Sequence, residues 1–235
     1  VTPDLVIVDK APLSKVKVGV IDSGADTHNP TMDGSVSKVL KFGYVPGASS
    51  KVTDITNANS AIQDMSDGRH GTFVSQIIAG KAVQGSTAGD ALGIADIYAG
   101  QTTINSAGQS YTSVNFEAMR YLQEKFGVKL FNGSWGSTTG KLADDLTQQF
   151  ALEVVQNGGL IVLAAGNEAK LISSDLSQMP SYVDGLEQGF LTVVGLNTEH
   201  TDLYYNSATK TGSNACGATA SRWCLASDYV NGPYY

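Results

Sequence analysis

The chain has 235 residues, 42% of them hydrophobic, with no uninterrupted apolar run of membrane-spanning length, so it can bury the core of one large α/β domain or two small ones. Fifteen basic against 22 acidic side chains give a net charge of −7 with no Lys/Arg cluster, which argues against nucleic acid as a partner. The opening VTPDLVIVDK lacks the basic-then-apolar pattern of a signal peptide, so the expectation is either a cytosolic protein or one whose leader has been removed.

In chain order, VKVGVI (16–21) reads as a strand, and DGRHGTFVSQIIAG (67–80) as the polar start and body of a helix. In that helix Phe73, Val74, Ile77 and Ile78 recur at helical spacing and are expected to form its buried face. LGIADIYAG (92–100) reads as a strand. TSVNFEAMRYLQEKFG (112–127) reads as a helix capped by Thr112 or Ser113 and stopped by Gly127. VKLFNGSWG (128–136) is a strand running into a loop, and LADDLTQQFALEVVQNGG (142–159) a helix closed by two glycines. LIVLAAGN (160–167) and FLTVVGL (190–196) are strands. Several of these strands are continuous apolar runs, as expected where helices cover both faces of a sheet. The predicted fold is therefore α/β, a doubly wound, mainly parallel sheet, in a single domain over residues 1–235 without repeats or linkers.

Cys216 and Cys224, in CGATASRWC, are the only cysteines and flank a Gly/Ala/Ser turn. They read either as two buried thiols or, the favoured reading, as a short-loop disulfide, which points to an exported protein. Their spacing fits no zinc pattern, and His28, His70 and His200 bring no paired ligand.

A parallel sheet places ligands beyond the carboxyl ends of its strands. There VGVI delivers Asp22-Ser23-Gly24, VKLF delivers Asn132-Gly133-Ser134-Trp135-Gly136, and LIVLAAG delivers Asn167, while His70 heads the intervening helix. One carboxylate, one imidazole and one carboxamide can thus share a rim. An aspartate bonded to one ring nitrogen of a histidine fixes its tautomer and stabilises the imidazolium, freeing the other nitrogen to take a proton from a hydroxyl nucleophile. A carboxamide can donate to the oxyanion that follows.

VIDSGADTHNP, DGRHGTFVSQIIAG and VLAAGNEA resemble, in type, order and separation, the Asp, His and oxyanion-Asn motifs of the subtilisin-like serine peptidases. FNGSWGS is similar to that family's substrate-binding strand, and GIADIYAGQTT and TVVGL to its other core strands, so the likeness spans about residues 16 to 235. SNACGATASRWCLAS resembles the cysteine-bearing segment of bacterial autotransporter subtilases. The resemblance implies a serine endopeptidase in which Asp22 orients His70, His70 is general base and then acid, and Asn167 is an oxyanion donor. It implies a substrate groove lined by Ser134, Trp135 and Gly136, with Ala164, Ala165 and Gly166 on the opposite pocket wall and Gly108 in the facing strand. Plain core packing remains the other reading of Trp135. A polypeptide substrate, a secreted or cell-surface location, a propeptide and an outer-membrane barrel in the full-length protein are further implications.

The sequence departs from the family at the nucleophile. Gly-Thr-Ser-x-Ala-x-Pro does not occur among the 235 residues; Ser207 lacks the preceding Gly-Thr and falls too early. Ser134 sits one residue short of a Gly-x-Ser-x-Gly elbow and follows, rather than precedes, its acid and base. The nucleophile is therefore expected on a following segment or separate polypeptide, and the 235 residues alone are expected to be inactive. The alternative is a non-catalytic relative that binds extended peptides. A nucleotide-binding domain is a poor reading, given the lack of Gly-x-Gly-x-x-Gly and Walker sequences. No cofactor is required for this chemistry; SDLSQMPSYVDGLE carries acidic and amide groups able to hold a structural calcium, although a solvated loop is the favoured reading.

Overall fold

A computed structural model describes residues 14–84, 88–105, 107, 109–137 and 140–229. The strands are β1 (Val16–Asp22), β2 (Val36–Gly43), β3 (Lys51–Asp54), β4 (Ala95–Gln101), β5 (Leu130–Gly133), β6 (Leu160–Ala164), β7 (Phe190–Leu196), β8 (Tyr205–Asn206), β9 (Thr211–Gly212) and β10 (Cys224–Asp228). The helices are α1 (Ser60–Gln63), α2 (His70–Ala79), α3 (Thr112–Phe126), α4 (Asp145–Gln156) and α5 (Gly217–Ala220), with four short 3-10 turns between elements. Eight strands form one sheet in the order β10-β7-β6-β5-β1-β4-β2-β3, and β8 and β9 form a separate hairpin. Every pairing in the large sheet is parallel except that of β2 with β3 at one edge. Together with the helices this bears out the doubly wound α/β reading. Among the described residues no helix is long and apolar enough to cross a membrane.

The core has two parts. On one face α3 and α4 pack Phe116, Met119, Leu122 and Val154 against Ile21, Phe131, Ile161 and Phe190 of the strands. On the other face α2 covers β1 and β4, burying Val74 and Ala79 against Val20, Ile97 and Ala99. Consequently β1 is buried on both faces from Val18 onward, whereas β5, β6 and β7 alternate between buried and half-buried residues. Their half-buried row includes Leu130, Val162 and Val193.

Helix α2 turns most of the expected apolar face inward: Val74 is buried and Phe73 and Ile78 are half-buried against the same core, whereas Ile77 is half-buried outside it. The most deeply covered residues also include the small Gly71, Thr72, Ser75 and Ala79. Small side chains let the helix approach β1 closely: a Cβ on Gly71 would lie 2.0 Å from the Gly24 carbonyl oxygen. Helix α3 is capped by Tyr111, not Thr112 or Ser113, with no side-chain bond at the cap; it ends at Gly127 in the left-handed conformation, as expected. Helix α4 starts at a true side-chain cap, Asp144 accepting from the Thr147 amide.

Candidate active site

Strand β1 lies between β4 and β5, and the chain leaves it to build both wings of the sheet, so a crevice opens at its carboxyl end. There Asp22, only 6% exposed, meets His70 from the first turn of α2: Nδ1 lies 2.8 and 3.0 Å from the two carboxylate oxygens. The Ser23 amide donates to the same carboxylate at 2.7 Å. An ionised Asp22 requires the His70 proton on Nδ1, which leaves the Nε2 lone pair available. The ring is half-exposed and Nε2 has no hydrogen-bond partner among the described residues. Hydrogen bonding to Asp22 raises the His70 pKa above 6.5, burial opposes this, and the charges of Asp22 and Asp64 add to the rise.

The position of His70 depends on how α2 begins. Arg69 precedes it in the left-handed conformation (φ 47°) and its guanidinium donates to buried Asp26 at 2.8 Å. The first helical amides, which have no partner inside the helix, are met by side chains from elsewhere. His70 N donates to Ser66 Oγ (2.7 Å), Gly71 N to Ser23 Oγ (2.9 Å) and Thr72 N to Asp64 Oδ2 (2.8 Å). Asp64, 3% exposed, also accepts from the hydroxyls of Thr72 (2.6 Å) and Ser23 (2.7 Å). Two buried carboxylates thus face the positive end of a helix dipole, where negative charge is favoured. Asp64, Ser66 and the capping role of Ser23 were not foreseen; the one signal was an acid six residues before the histidine.

Asp22 and His70 open onto a hollow of ≈ 460 Å³ whose wall includes Thr103, Ser110, Ser134 and Trp135. Trp135 both packs into the core and borders the hollow. Its indole Nε1 donates to the Ile21 carbonyl at 2.7 Å and its ring packs edge-on against Phe116, while its exposed edge lines the hollow. Gly136 borders an adjoining depression with Tyr111 and Leu176. Ser134 accepts from Asn132 Nδ2 at 3.0 Å and also borders a second hollow of ≈ 490 Å³. That hollow contains Ala164, Ala165, Gly166 and Asn167, with Ile77 and Val162 on its floor. Asp22 and His70 thus border one hollow and Asn167 another, and Ser134 lines both. Asn167 is exposed and makes no hydrogen bond to the Asp22–His70 pair. Gly108 lies outside the described residues.

Cys216 and Cys224 form a disulfide, with Cα atoms 6.0 Å apart. Between them Trp223 donates to the Ser177 carbonyl (2.9 Å), and Ser177 Oγ donates to the Ala164 carbonyl (2.8 Å), so this segment is tied to the end of β6. In the 174–187 loop, Asp175 accepts the Gly140 amide and Glu187 pairs with Arg222; among the described residues no three His, Cys, Asp or Glu converge as metal ligands.

Solved structures of similar fold include Sphericase (21% identity, TM-score 0.56, covering 79% of this chain and 57% of that one). The prenylagaramide maturation protease PagA matches at 16% identity and TM-score 0.64, over 93% of this chain and 64% of its own. The psychrophilic subtilisin-like protease Apa1 from the Antarctic psychrotroph Pseudoalteromonas sp. AS-11 matches at 19% identity and TM-score 0.60, over 91% and 41%. The chain thus spans less than two thirds of the length of each of these structures. The sequence profile of the Subtilase family matches residues 14–228, and the chain belongs to that family.

Proposed function

We propose that this chain supplies the acid–base half of a serine endopeptidase, with the nucleophilic serine on polypeptide that follows Tyr235. The observation that carries the reading is the buried Asp22 carboxylate bonded to Nδ1 of a half-exposed His70 that lines an open hollow. In this reading Nε2 takes the proton of the serine hydroxyl as it attacks a peptide carbonyl, and later gives that proton to the leaving amine. Asp22 stays ionised throughout and stabilises the imidazolium between the two steps. Asn167 donates to the oxyanion, and the nucleophile's own amide is the second donor. Ser134, Trp135, Gly136 and Gly108 pair with extended substrate, and Ala164, Ala165 and Gly166 wall the pocket for its side chain. The chemistry draws on side chains and backbone and uses no cofactor.

The half-buried row on β5, β6 and β7 supports the position of the missing segment. Val162 and Val193 of that row, with Ile77 of α2, leave an apolar floor beside Asn167, the kind of surface a further helix covers. The disulfide supports folding in an oxidising compartment, hence a secreted or cell-surface enzyme, with the propeptide and membrane barrel of autotransporters as further parts.

A fluorophosphonate probe tests the assignment. Residues 1–235 alone are expected neither to label nor to turn over peptides. Adding the downstream polypeptide, in cis or in trans, restores labelling at a serine beyond Tyr235, and His70→Ala abolishes it. Labelling of Ser134 or Ser207 in the isolated chain refutes the assignment. A full-length product that never labels points instead to a non-catalytic, peptide-binding relative.

A further inference from the structure

Beyond β6 the chain runs through Ala165–Lys170, a segment whose residues 167–170 are exposed and which carries Asn167 at its centre. Its backbone is unusual: Gly166 has φ 109° and Ala169 has φ 53°, both in the left-handed region. Such conformations persist only where surrounding contacts over-determine them. Backbone bonds from Val193, Ser174, Gly212 and Ala215 supply part of those contacts, and one buried side chain supplies four more. Asn214 has no exposed surface, and its carboxamide makes four hydrogen bonds, all to this segment. Oδ1 accepts the amides of Glu168 (3.1 Å) and Lys170 (2.9 Å). Nδ2 donates to the Ala165 carbonyl (3.0 Å) and to Glu168 Oε2 (2.7 Å). The Asn214 amide donates to the Gly166 carbonyl at 2.9 Å, so residues on both sides of Asn167 are bonded to one asparagine. Two donors and two acceptor sites exhaust what a carboxamide can offer. The fit is close as well: a Cβ on Gly166 would lie 2.4 Å from Asn214 Nδ2.

We infer that Asn214 is a positioning residue for the oxyanion donor: it fixes the 165–170 segment so that the Asn167 carboxamide and the adjoining pocket wall are held in place before substrate arrives. The inference rests on the proposed role of Asn167. Asn214 itself, fully buried beneath the segment, touches neither substrate nor reacting atoms. A donor misplaced by about 1 Å loses much of its effect on the transition state while ground-state binding is little changed. A glutamine or a hydroxyl in place of Asn214 would not reach the same four partners at once.

Two measurements test this. In the 235-residue chain, hydrogen exchange followed by NMR reads the segment directly. Asn214→Ala is expected to remove protection from the Glu168 and Lys170 amides while β1 and β4 stay protected. In the full-length enzyme, a double-mutant cycle reads the function. Asn214→Ala is expected to lower kcat about tenfold or more with little change in KM, whereas Asn167→Ala lowers it about 10²–10³-fold, the loss such a donor gives in subtilisin. The double variant is expected to be no slower than Asn167→Ala alone, because a positioning residue has nothing left to position. A merely structural role makes the two losses multiply, and that result overturns the inference even if exchange changes as expected. If Asn214→Ala does not fold, Asn214→Ser carries the same cycle, since its short hydroxyl partly fills the site without charge but cannot reach all four partners. If Asn167→Ala leaves kcat unchanged, the oxyanion reading itself falls; if it slows turnover but the losses multiply, only the role of Asn214 falls.

Discussion

Gly71 is where the backbone path of α2 and the geometry of His70 meet, and Gly71→Ala sets two effects against each other. Alanine is the better helix former, and inside a helix the exchange returns about 1 kcal/mol. The added Cβ, however, would lie 2.0 Å from the Gly24 carbonyl oxygen, 2.9 Å from the Gly24 nitrogen and 3.0 Å from its carbonyl carbon. All three are backbone atoms, so no side chain can rotate aside. Gly24 cannot yield easily either, since its own α-carbon faces the Gln63 carbonyl oxygen, which a Cβ there would meet at 1.8 Å. Relief therefore requires α2 and the Ser23–Gly24 turn to separate by about 1 Å. Overpacking of this kind costs about 1–3 kcal/mol, and contact with backbone alone places it at the upper end. The net expectation is a loss of about 2 kcal/mol.

The same separation reaches the site, because the Gly71 amide donates to Ser23 Oγ at 2.9 Å and His70 is the preceding residue. A shift of about 1 Å takes a 2.8 Å bond such as that from Nδ1 to Asp22 out of hydrogen-bonding range. Since that bond is the largest cause of the raised His70 pKa, the titration should move down toward 6.5. Urea unfolding and NMR titration of the His70 ring, both on the 235-residue chain, read the two effects. A Gly71→Ala variant of equal or greater stability, with His70 titrating as before, refutes the claim that this close approach fixes the histidine.

Two further outcomes follow from the site and the cross-link. In the proposed mechanism His70 must be neutral to act as base, and its pKa is raised, so the acid limb of activity of a serine-bearing full-length product should lie above pH 6.5. In the folded chain the protonated pairing contributes stability that is fully present below the unfolded pKa of about 6.5 and lost as pH rises through the raised value. Asp64→Asn removes one of the raising charges and should move the titration down, less than Asp22→Asn does; an upward movement, or none, sinks the account of Asp64. The disulfide closes a loop of about nine residues, for which the chain-entropy estimate is about 2.5 kcal/mol, so the Cys216→Ala/Cys224→Ala variant should melt earlier by a corresponding amount. Unchanged melting would mean that the unfolded chain is not constrained by the bridge.

What could be read from the sequence, and what could not, divides along the range of the interactions involved. β1, β6 and β7 were legible because buried strands are continuous apolar runs, a property of the segment itself. β2, with Lys38 and Lys41, and the short, exposed β10 carry no such run; as strands near or at the sheet edges they are specified by their neighbours. The face of α2 is legible only in part, for a related reason. Apolar periodicity finds the side that prefers to leave water, but where a helix comes within contact of a neighbouring backbone the deciding property is size, and Gly71, Ser75 and Ala79 form that side. Asp22 and His70 were legible as residues with chemistry at strand and helix ends. Asp64 and Asn214 were not: each is an acid or amide in a stretch without periodicity. Asp64 bonds across to Ser23, 41 positions away, and Asn214 to segment residues 44 to 49 positions away. Those long-range bonds hold the two segments bearing His70 and Asn167. The chemical groups of this site are thus visible in the chain, while the residues that aim them become visible only once the fold has brought distant segments into register.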